Sequence, residues 1–73
     1  MEYTNSQIRA AIEEYVHSER DREVLCLRFI DGLTMEQITC RYQDRHPDMP
    51  ISVDTVKRII KKQEPILFRH VPI

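Results

Sequence analysis

Apolar residues recur along this chain at helix-face spacing and show no sustained alternation. Ile8, Ala11, Ile12, Tyr15 and Val16 follow an i, i+3, i+4, i+7, i+8 pattern, which is one buried stripe of an amphipathic helix. Thr4 with Gln7 three residues on is a capping-box pair, so a first helix is expected over residues 5–17. Ser18 reads as the cap of a second helix over residues 19–31. Its acidic first turn (Glu19, Asp21, Glu23) suits the positive end of the helix dipole, and Val24, Leu25, Leu27, Phe29 and Ile30 give it a wide apolar surface. Gly32 follows as a left-handed stop.

Thr34 and Gln37 form a second capping box, opening a third helix over residues 35–42 with Met35, Ile38 and Tyr42 facing inward. Pro47 and Pro50 forbid a continuous helix, so residues 43–50 are expected to form a loop. Ser52 caps a fourth helix over residues 53–63, which Pro65 is expected to end. Residues 64–73 remain as an apolar tail, to be packed on the domain or used as a homodimer contact through residues 66–73. The single Gly, at position 32, and the four Pro, all beyond Arg45, leave the first thirty residues without the turn punctuation that sheets need. The expected fold is all-α: one domain over residues 1–73, a four-helix bundle.

A chain of 73 residues holds one domain, and such a chain buries only about 60% of its unfolded surface. Too little room remains for a catalytic domain beside a binding domain, and a helical bundle this small rarely offers an enzyme pocket. No apolar run approaches the roughly 20 residues of a membrane span, and Met1–Thr4 lack the start of a secretory signal, so a cytoplasmic protein is expected. Cys26 and Cys40 form no close pair and no zinc-finger spacing with His; both are expected as partly buried, reduced thiols. His17, His46 and His70 are scattered, and neither a metal site nor a cofactor is expected. Tyr15, Phe29 and Tyr42 sit on apolar stripes and are expected in the core rather than as a base-stacking platform.

The net charge of −1 hides an asymmetry. Residues 1–40 carry four Arg and eight acids, a net −4, whereas residues 41–73 carry seven bases and four acids, a net +3. Charge concentrated at one end suggests a polyanionic partner. Wound at about 100° per residue, the fourth helix puts Val56, Ile59, Ile60 and the stem of Gln63 on one side. Asp54, Lys57, Arg58, Lys61 and Lys62 fall on the other. A basic run on an isolated helix is commonly just a solvated face. Here a short capped helix with its own apolar stripe precedes it. Two helices packed through their stripes leave the basic side projecting, and a DNA major groove is wide enough to admit it.

The stretch DREVLCLRFIDGLTMEQI (21–38), followed by ISVDTVKRIIKK (51–62), resembles the C-terminal, −35-promoter-binding domain (region four) of bacterial RNA polymerase sigma factors. The resemblance covers residues 8–63. It rests on VLCLRF, the Gly-Leu-Thr break at 32–34, Glu36-Gln37-Ile38 and Ser52-Val53-x-Thr55-Val56-Lys57. It implies a helix-turn-helix of sigma region four, winged-helix-like type, and a function in sequence-specific binding of double-stranded DNA and transcription regulation. It also implies that Val53, Asp54, Lys57 and Arg58 approach base edges in the major groove. The chemistry agrees: Arg and Lys donate to guanine, Asp accepts from cytosine, and Val touches a thymine methyl. Thr34, at the start of the preceding helix, would meet phosphate through backbone N–H groups, with Arg41, Lys61 and Lys62 as further phosphate contacts.

Two departures from the family stand out. A helix-turn-helix turn is about 3–4 residues, and Gln43–Pro50 lengthens it by about seven; Arg45 and His46 in this insert would add backbone contacts, or the insert would alter how the recognition helix is presented. Nor does the chain have room for the sigma domains that bind the −10 element and the polymerase core, so a stand-alone regulator, a fragment or a polymerase-binding adaptor is expected. The rival reading is a protein-interaction module that docks on RNA polymerase or another factor without touching DNA, using the acidic first half.

Overall fold

The computed structural model describes residues 4–70. Four helices account for most of them: α1 (Asn5–Tyr15), α2 (Glu19–Phe29), α3 (Met35–Arg45) and α4 (Val53–His70). No strand occurs among the described residues. Every helix start is chemically marked. Thr4 and Gln7 exchange side-chain-to-backbone hydrogen bonds at 2.9 and 3.1 Å, and Thr34 and Gln37 do the same at 2.9 and 3.2 Å. Ser18 Oγ accepts the Asp21 N–H at 3.4 Å, and Ser52 Oγ accepts the Thr55 N–H at 3.2 Å. Each bond satisfies a donor that the helix itself leaves without a partner.

The connections are held as firmly. Arg22 donates from Nε to the Val16 carbonyl and from Nη2 to the Glu13 carbonyl at 2.6 Å, placing a cation at the negative end of α1. Gly32 has φ +71°, a backbone that residues with a Cβ adopt only at a cost of about 1–2 kcal/mol. Across it the Leu33 N–H reaches the Leu27 carbonyl at 3.0 Å, and Arg28 donates to the Leu33 carbonyl at 3.0 Å.

One core joins the four helices. Ile8, Ala11, Ile12 and Val16 meet Val24, Leu25, Leu27, Ile38, Tyr42, Val56, Ile59, Ile60 and Leu67, all buried. α4 packs against α1, α2 and α3, whereas α1 and α3 do not pack on each other.

α1 and α2 each end two residues earlier than expected, at Tyr15 and Phe29, and the structure departs further from the sequence expectations in four places. α3 runs three residues further, to Arg45, and the loop becomes residues 46–52. The added turn is held by Tyr42, whose ring lies 4.5 Å from that of His46, and by contacts of Arg45 and His46 with Glu23 on α2. Tyr15, expected in the core, is 37% exposed; α1 ends there, and Val16 turns inward instead. Cys40, expected as partly buried, is exposed, whereas Cys26 is half-buried; both are free thiols.

The fourth departure is Pro65, which lies inside α4 rather than ending it. Proline costs about 3 kcal/mol in a helix interior. Pro65 and Lys61 are both exposed, so the Lys61 carbonyl that loses its partner can be hydrated. Beyond the proline, Leu67 is fully buried, worth about 1.5–3 kcal/mol. The Phe68 ring meets Phe29 edge-on at 5.0 Å, worth about 0.5–1.5 kcal/mol more. Packing thus offsets propensity. Of the tail considered for dimerisation, Leu67 and Phe68 are used within the chain, Ile66 is exposed, and residues 71–73 lie outside the described residues.

Leu67→Ala should lower unfolding stability by about 2–5 kcal/mol, and Pro65→Ala should raise it by about 1–3 kcal/mol, both measured by urea denaturation. A Pro65→Ala protein no more stable than the parent contradicts a helix continuous through residue 65.

Candidate nucleic-acid interface

The two sides of α4 differ sharply. Val56 and Leu67 are fully buried, and Ile59 and Ile60 are nearly so. Asp54, Lys57, Arg58, Lys61, Lys62 and Arg69 are exposed, and Val53 is half-buried. Among the described residues no cation of this face is in an ion pair. Lys57 with Lys61, and Arg58 with Lys62, are i, i+4 neighbours of like charge, each pair costing a few tenths of a kcal/mol. An anion laid along this face would relieve that repulsion.

Arg20, which charge counting assigned to the acidic half, joins this face from α2. A groove of about 240 Å³ between the start of α2 and α4 is lined by Arg20, Asp21, Thr55, Arg58, Ile59 and Lys62. Its acidic member is already engaged. Asp21, only 7% exposed, accepts from Gln63 Nε2 at 3.0 Å and from Arg20 Nε at 3.5 Å. Arg58 and Lys62 therefore border the groove without a carboxylate of their own. The sequence signal for Arg20 was weak because it lies between Glu19 and Asp21.

The other expected contact residues are placed less uniformly. Thr34 is exposed at the start of α3, but its own N–H donates to Gln37 Oε1 and the Gln37 N–H returns to Thr34 Oγ1. Phosphate binding there would fall to the amides of Met35 and Glu36, beside the Glu36 carboxylate. Arg41 is exposed along α3, in a shallow groove shared with Leu33, Glu36, Gln37, Cys40 and Asp44. Arg45 is exposed, yet its Nη1 lies 3.8 Å from Glu23 Oε2. His46 Nε2 lies 2.9 Å from Glu23 Oε1. These two insert residues turn toward α2, so a phosphate contact by either competes with Glu23.

No group of three or more His, Cys, Asp or Glu among the described residues could hold a metal ion. No helix there is long and apolar enough to cross a membrane. Burial pushes the Cys26 thiol pKa upward; Arg9 opposes this, and Asp31, Glu13 and Glu23 add to it. No protein-family model matches the chain, and no curated protein or solved structure matches it significantly.

In the native protein at pH 8, a thiol-alkylating reagent should modify Cys40 well before Cys26, because the thiolate is the reactive form and burial suppresses it at Cys26. Mass mapping of partly labelled protein reads the order; equal rates contradict the packing described around α2.

Proposed function

We propose that this chain binds double-stranded DNA sequence-specifically and regulates transcription in the manner of sigma region four. In this reading α3 and α4 act as a helix-turn-helix with an elongated turn, and α4 enters the major groove. The observation that carries it is the α4 face described above: clustered cations, open and without ion pairs among the described residues, on a helix whose opposite side is locked into the core. Val53, Asp54, Lys57 and Arg58 occupy the first turns of that helix, the part that meets base edges when a recognition helix docks. Asp54, Lys57 and Arg58 would discriminate bases, while Lys61, Lys62, Arg41 and Arg20 would neutralise phosphates. Arg20 is added because it shares the groove with Arg58 and Lys62.

A second reading draws on the exposed acids Glu13, Glu14 and Glu19, which would suit docking on RNA polymerase or another factor. A gel shift with random duplex DNA at low salt separates the two: the DNA reading requires a shift, and the docking reading does not.

A binding-site selection at fixed salt tests the proposal directly. Arg58→Ala should relax the selected sequence and weaken the preferred site by about 1–3 kcal/mol; an unchanged preference contradicts its role at base edges. Lys62→Ala and Arg20→Ala should weaken all sequences alike, each flattening the plot of log affinity against log salt by about one unit. A loss confined to one sequence contradicts the assignment to phosphate.

A further inference from the structure

The loop between α3 and α4, residues 46–52, is closed by a single side chain. Gln43, half-buried on the last turn of α3, donates from Nε2 to the His46 carbonyl at 3.1 Å and accepts the Ile51 N–H at Oε1, also at 3.1 Å. The His46 carbonyl can only accept and the Ile51 N–H can only donate, so just one orientation of the carboxamide serves both. One amide group thereby ties the first loop residue to the residue before the Ser52 cap. Inside the loop, the Met49 N–H closes a turn on the His46 carbonyl at 3.0 Å, with Pro47 fixing its φ. The loop is also docked sideways. His46 Nε2 meets Glu23 Oε1 at 2.9 Å and stacks obliquely on Tyr42. Glu23 Oε2 is buried without a hydrogen bond and faces Arg45 at 3.8 Å.

We infer that Gln43 is a positioning residue for sequence recognition: by clipping the loop shut it fixes the chain entering α4, and so the placement of Val53 and Asp54. The inference rests on the DNA-binding reading above. Full burial on α4 begins at Val56. Before it, Ile51 packs against the core only in part and Val53 is half-buried, so the first turn is aimed by these partial contacts together with the loop and the Ser52 cap. Without the clip the loop gains freedom, and contacts at the first turn of α4 must then order it on binding. Phosphate contacts further along α4 do not depend on it. Gln43 should therefore act on specificity and leave charge-driven affinity alone.

The test compares the full chain with Gln43→Leu, which can neither donate nor accept, and Gln43→Glu, which keeps the acceptor for Ile51 and loses the donor for His46. Three quantities are read: hydrogen exchange at the Ile51 amide, affinity for the selected duplex, and affinity for random duplex with its salt slope. In Gln43→Leu, Ile51 exchange should speed up about tenfold, and the ratio of selected to random affinity should fall about tenfold. Random-duplex affinity and salt slope should stay as in the parent. Gln43→Glu, whose carboxylate faces the His46 carbonyl, should also speed Ile51 exchange; because it adds a negative charge, it is read by exchange alone. Specific and random affinity falling together, in step with a loss of folded protein, overturns the inference, since that is what a purely structural residue would give. So does an unchanged Ile51 exchange rate. A parent chain that selects no sequence sinks the DNA reading itself, and the inference with it; that failure is visible before any substitution is made.

Discussion

Burial of Val56, Ile59, Ile60 and Leu67 along one side of α4 holds this bundle together, because the other three helices all pack against that helix. In a chain of 73 residues there is little redundancy in such a core. Fixing one side of α4 inward dictates what the other side can be. It must be polar, and here it is cationic in a chain whose net charge is slightly negative. The same packing that stabilises the fold therefore concentrates positive charge on one ridge, where field lines from Lys57, Arg58, Lys61 and Lys62 add.

The connections spread the load away from that ridge. Arg22 is bound to carbonyls at the end of α1, Arg28 to the turn after Gly32, and Arg45 lies beside Glu23. These arginines have local work in the fold. The cations on α4 have none among the described residues, and that contrast distinguishes structural from available charge more sharply than net charge does.

Much of the architecture was legible in the sequence because its signals are local. Thr4, Ser18, Thr34 and Ser52 each sit where a side-chain oxygen can reach an amide three residues on, and Gly32 stands where φ is positive. The stripes of α2 and α4 also follow from spacing alone. What escaped depends on residues distant in sequence. Pro65 is a breaker until Leu67 and Phe68 find the core and Phe29. Residues 43–45 look like loop until His46 finds Glu23, 23 residues away. Tyr15 fits the helical stripe, but the helix ends at that residue. On the candidate interface, the open face of α4 was legible from the helical period. Arg20 was not, since only the packing of α2 against α4 brings it beside Arg58 and Lys62. The inward turn of Arg45 and His46 was likewise invisible, because spacing says nothing about which carboxylate a loop residue will meet.

The bond between Gln63 and buried Asp21 spans 42 residues and sits at the edge of the core, beside the groove that Arg20, Thr55, Arg58 and Lys62 line. Close-packed side chains resist a roll through many small contacts; a polar pair at 3.0 Å adds a directional one. A roll of about 20° would carry a side-chain tip some 6 Å from the helix axis through about 2 Å, enough to spoil any directional contact made on the far side. The Asp21–Gln63 pair thus works as a stop on the dial, sharpening the azimuth that packing has already chosen for the helix.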